Sequence, residues 1–144
     1  MGIRNFAAAV AVLTIMLPLP AQAHIVTFVE RATSDALTDT GVKDDSPGDI
    51  LTFANELFDK DNKIKVGDDS GYCFRTIAGK AWECAWTNTL ADGQITVQGS
   101  FLDGKDSVLA ITGGTGIYLR THGEMTLHAR DPKGSEYDFT FNLR

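Results

Sequence analysis

Ile95-Thr96-Val97-Gln98-Gly99, followed by Leu109-Ala110-Ile111-Thr112-Gly113-Gly114-Thr115-Gly116-Ile117-Tyr118, decides between two readings of a glycine-rich segment. A phosphate-cradling loop opens directly into a helix, whose first N–H groups hold the anion. Here residues 118–130 carry Gly123 and keep a period-two pattern, which fits a hairpin. The glycines therefore read as turns and bulges in an antiparallel sheet.

The same period recurs on both sides of this stretch. Leu51, Phe53, Asn55 and Leu57 share one face, and Thr52, Ala54 and Glu56 the other. Ile95, Val97, Gly99 and Phe101 alternate with polar neighbours, as do Tyr137, Phe139, Phe141 and Leu143. Such alternation marks half-buried antiparallel strands. Further strands are expected at 25–30, 107–112 and 123–130, with turns at Asp92-Gly93, Asp103-Gly104 and Pro132-Lys133-Gly134. With no long helical period, the fold class is all-β, a single eight-stranded antiparallel barrel able to hold one small ligand. Candidate lining residues are Phe53, Phe101, Trp82, Trp86, Tyr72 and Phe74.

Arg4, the apolar run of residues 6–19 and Ala21-Gln22-Ala23 read as a secretory signal over residues 1–23, leaving 24–144 as the barrel domain. The run is too short to span a bilayer, so no stable membrane span is expected after cleavage. The location is then secreted or periplasmic, where paired thiols become disulfides. A hairpin of 72–77 and 80–88 about Ala78-Gly79 sets Cys73 opposite Cys84, within bonding reach. The chain of 144 residues has a formal charge of −6, which disfavours nucleic acid and leaves small neutral or apolar molecules as ligands.

Three segments resemble the allene oxide cyclase family and, more distantly, the plant dirigent proteins. Gly48-Asp49-Ile50-Leu51-Thr52-Phe53-Ala54-Asn55-Glu56-Leu57-Phe58 is similar to the family's Gly-Asp-Leu-Val-Pro-Phe-Thr-Asn-Lys-Leu-Tyr strand. Val66-Gly67 with Gly71-Tyr72-Cys73, and the block 95–116, complete the likeness, which covers residues 48–143. In that family a barrel cavity folds an unsaturated epoxide for ring closure. An asparagine helps to hold a water on the epoxide oxygen, and a glutamate stabilises positive charge. The resemblance implies Asn55 and Glu30 as catalytic residues, Phe53 in the pocket, Cys73 on the cavity and a homotrimeric assembly; Phe101 joins the pocket on its strand face alone. The family's second asparagine corresponds to Ala32 here.

No cofactor is implied. His122 and His128 fall in phase with Glu124 and Arg130 and are expected on the surface. Asp59-Lys60-Asp61-Asn62 lacks the glycine and terminal glutamate of a calcium loop and reads as a solvated turn. His24, if freed at its amine, would form half of a copper brace, but nothing in the pattern supplies the second histidine, so no metal is expected. Two functions remain open: a barrel that binds a hydrophobic small molecule and steers its cyclisation or isomerisation, and a non-catalytic carrier or structural barrel.

Overall fold

In the computed structural model residues 23–144 are described; the export signal expected over residues 1–23 lies almost wholly outside them. The strands are β1 (His24–Arg31), β2 (Ala36–Thr38), β3 (Ile50–Phe53), β4 (Glu56–Phe58), β5 (Lys65–Ile77), β6 (Ala81–Leu90), β7 (Gly93–Leu102), β8 (Ser107–Gly114), β9 (Gly123–Ala129) and β10 (Glu136–Leu143). β3 and β4 both pair with β5 and form one stave interrupted at Ala54 and Asn55. Counting them together, β1, β3/β4 and β5 to β10 make eight antiparallel staves, closed by the β5–β6 pairing. β2 lies outside the ring on β3, and the sequence pattern does not predict it.

The glycine-rich block takes the form its context required. β7 and β8 slip register between Thr96 and Val97, so Thr112 is left as a bulge beside Gly113. After Gly114 there is only a single 3-10 turn, Gly116–Tyr118. Gly116 has a φ of +62°, and a Cβ there would stand 2.1 Å from the Asp92 carbonyl oxygen. No side chain fits this contact between the 92–93 turn and the strap leading to β9.

Period two sets the inside of the barrel. Ile95, Val97, Leu109, Ile111, Met125, Leu127, Phe139 and Phe141 are buried and form one core. Each large apolar side chain so buried contributes about 1.5–3 kcal/mol. Trp82 and Trp86 also face inward, whereas Tyr72 and Phe74 point outward, 49% and 45% exposed, and are corrected from candidate lining to outer-wall residues. The cause is phase: Cys73 is inside, so its neighbours on β5 are outside.

Cys73 and Cys84 are directly paired across β5 and β6 and joined by a disulfide. The hairpin register slips only beyond Arg75, leaving the cysteines opposed. Arg75 on β5 lies over the Trp82 ring and bonds Asp45 and Asp103, tying two loops to the strand at one end of the barrel.

Candidate functional site

The break between β3 and β4 creates the most polar part of the interior. Asn55 is 2% exposed and exchanges two backbone hydrogen bonds with Asp69 on β5. Its side-chain oxygen accepts from the Thr33 and Ser34 backbone N–H groups, at 3.0 and 2.9 Å, and from the Ser34 hydroxyl. Its Nδ2 donates to Glu30 Oε1 and Asp35 Oδ1, each at 2.9 Å. The apolar phase of β3 is thus broken by an amide whose capacity is met within the protein, which removes the cost of burying it.

Glu30 closes the inward face of β1 after Val26 and Phe28 and is 5% exposed. Burial first, then the negative charge of Asp69, pushes its carboxyl well above the usual range; the Asn55 amide works in the opposite direction. Asp69 is raised from 3.8 to about 7, chiefly by burial, against the favourable bonds from Glu30 and the Asn55 N–H. Two buried carboxyls this close cannot both ionise, so they share a proton. Asp69 Oδ2 has no partner among the protein's other donors, and a protonated Glu30 supplies it. Burial and the neighbouring charge of Asp69 therefore favour the neutral acid at Glu30 over its carboxylate.

Glu30 and Asp35 open onto a cavity of about 50 Å³ lined otherwise by Leu51, Phe53, Cys73, Cys84, Trp86, Phe101, Leu127, Tyr137 and Phe139. That volume holds a few waters; a larger ligand requires side chains to move. Phe53 and Phe139 hold the Trp86 ring, with centroids 6.0 and 5.6 Å away. Phe101 and Tyr137 meet edge to face at 6.0 Å. Phe101, Leu127 and Tyr137 also form the floor of an outer groove of about 640 Å³ between the 104–106 and 130–134 loops. They are a partition between a small interior and a roomy mouth. Burial, then the charge of Glu30, pushes the Tyr137 phenol to about 12, so it stays neutral.

Of the residues named from sequence, Glu30, Phe53, Phe101 and Trp86 line this cavity, with the disulfide on its wall, whereas Trp82 does not. Asn55 is not among the lining side chains; it grips Glu30 from behind. Asp69, Asp35 and Tyr137, which the sequence pattern does not mark for the site, complete it. Asp69 was legible in principle, being in phase with inward-facing Cys73, but a carboxylate in such a phase normally argues against burial. Asp35 lies in an irregular loop that alternation cannot orient.

His128 is exposed and pairs with Asp106 at 2.7 Å. His122 is also exposed, and the Asp59 carboxylate closes a turn onto the Lys63 and Ile64 N–H groups. Among the described residues there is no group of three or more His, Cys, Asp or Glu side chains placed to hold a metal.

A family model described as allene oxide cyclase matches residues 25–137. Among solved structures, pyocyanin demethylase is 27% identical with a TM-score of 0.72, over 84% of this chain and 100% of that one. The pterocarpan synthase dirigent protein PsPTS1 is 13% identical with a TM-score of 0.68, over 85% and 93% of the two chains. AbnU, an exo-specific intermolecular Diels-Alderase, is 15% identical with a TM-score of 0.65, over 85% and 98%. The last two likenesses show the fold alone.

Proposed function

The chain belongs to the allene oxide cyclase family, and from that premise we propose that it is an exported barrel that binds a hydrophobic small molecule and steers its cyclisation or isomerisation. The observation that carries this reading is the buried Glu30 carboxyl, held well above the usual carboxylate range, opening into an aromatic cavity with Asp69 beside it. A protonated carboxyl in an apolar site hydrogen-bonds to a substrate oxygen as negative charge grows there. Its conjugate base, if the proton is passed on, stabilises a developing cation. The aromatic walls hold the substrate in its reactive fold and exclude water, while Asn55 fixes the Glu30 carboxyl and acts as a positioning residue.

Two further parts of the proposal rest on different features. The disulfide supports an oxidising compartment, secreted or periplasmic; no helix among the described residues is long and apolar enough to cross a membrane. A homotrimer is supported by the outer face of β3, β5, β6 and β7, where Thr52, Ser70, Tyr72, Ala85, Thr96 and Gln98 line an uncharged shallow trough on a chain of formal charge −6. Sedimentation should give three times the monomer mass.

The competing reading is a carrier without catalysis, favoured by the small interior volume. The test uses an allene oxide generated in situ, whose spontaneous ring closure gives both enantiomers. The barrel should produce an excess of one, and Glu30→Gln should remove most of that excess while an apolar fluorescent probe still binds. Tight probe binding with a racemic product would establish the carrier instead.

A further inference from the structure

The indole Nε1–H of Trp86 is buried and has no acceptor among the described residues. Trp86 is 5% exposed, yet its ring lines the cavity into which Glu30 opens. A buried donor left unmatched costs free energy, and Trp and Tyr normally find partners when buried. Phenylalanine would fill much of the same wall without that cost, and the neighbouring Phe53 and Phe139 show that this core accepts it.

We propose that Trp86 is a ligand-recognition residue whose Nε1–H donates a hydrogen bond to an acceptor atom of the bound molecule, selecting uncharged ligands that carry a carbonyl-type oxygen or equivalent acceptor over pure hydrocarbons. β6 stands three staves from β1 around the ring, so Trp86 and Glu30 address the ligand from different walls. Glu30 and Asp35 add carboxyl oxygens to the same lining, which disfavours an anionic ligand. The ligand class is thus neutral, largely apolar and furnished with at least one acceptor. This assignment rests on the cavity being the binding site, as in the proposed function, but requires no catalysis.

The test compares acetophenone with ethylbenzene, which have similar shapes and differ in the acceptor. Binding is read by calorimetry on the intact protein and by the indole ¹⁵N–¹H resonances, with Trp82 as internal reference. Wild type should prefer acetophenone by about five- to tenfold, the range of one net hydrogen bond. The Trp86 indole resonance should shift on adding acetophenone and stay in place on adding ethylbenzene. Trp86→Phe should abolish the preference, leave ethylbenzene affinity within about twofold, and keep the melting temperature at or above that of wild type. Equal weakening of both probes would make Trp86 a shape-determining wall residue and overturn the proposal. So would an indole resonance indifferent to acetophenone, a measurement that stands even if Trp86→Phe fails to fold. Acceptor selectivity at Trp86 without enantiomeric excess would sink the proposed catalysis alone; enantiomeric excess without that selectivity would sink this assignment alone.

Discussion

The two ends of the barrel are closed by opposite chemistry. At the end of the 91–92 and 115–122 turns, Ile95, Met125 and Phe141 are fully buried and the backbone is pressed together at Gly93 and Gly116. From the rung that Asp69 shares with Asn88 and Ile95 toward the other end, the interior carries Glu30, Asn55, Asp69 and Arg75, with loops tied across by Asp45 and Asp103. One end is closed by area removed from water, which is insensitive to pH and tolerant of salt. The opposite end is closed by directed bonds and shared protons, which leave a cavity and an acid with a raised pKa. Function sits where the strand pattern is broken, a common location for locally costly structure.

The largest expected effect tests the apolar end. Phe141→Ala should cost about 4 kcal/mol by chemical denaturation, because it leaves a hole in rigid packing. A loss below about 1 kcal/mol would mean that this end can collapse and is not the rigid half.

At the polar end Asn55→Ala should cost about 3 kcal/mol, since Glu30, Asp35 and the Thr33 and Ser34 N–H groups lose their partner. Asn55→Asp is the sharper probe: it keeps the acceptor for the loop but adds a fourth carboxyl beside Glu30, Asp35 and Asp69. It should destabilise more at pH 8 than at pH 5; equal losses would deny the charge crowding.

The disulfide lies between the two ends. Its loop spans a sequence separation of 11, so replacing both cysteines with alanine should cost about 2 kcal/mol in unfolding. Alkylation of the unreduced protein should find no free thiol.

The smallest effect is the most diagnostic of the polar end. Asp69 keeps its proton to about 7 in the fold but releases it near 3.8 when unfolded. The native state therefore binds more protons between those values, and its contribution to stability is lost as pH rises through that window, at about 1.4 kcal/mol per pH unit at most. Asp49 and Asp59, held below the usual range by backbone N–H groups, act in the opposite sense, their contribution vanishing only as pH falls below the ordinary carboxylate value. Asp69→Asn should flatten the slope between about pH 4 and 7 and leave the acid limb unchanged. An unaltered slope would show that the fold does not raise the Asp69 carboxyl.

The sequence by itself determined most of the strands and which residues of each share a face, because a pleated strand presents alternate residues to opposite faces whatever surrounds it; that Cys73 and not Tyr72 and Phe74 turns inward on β5 was settled only by the closed ring. It also determined the Cys73–Cys84 register, since a short turn counts residues locally, and the role of the glycines, since they lead into a further strand rather than a helix. The tertiary structure alone decided how Asn55, Glu30 and Asp69 act. They come from the β3/β4 break, β1 and β5, which meet only because the ring closes in this order. Desolvation, a shared proton and an unmatched indole N–H are properties of the groups lying across the cavity, and no local period encodes them.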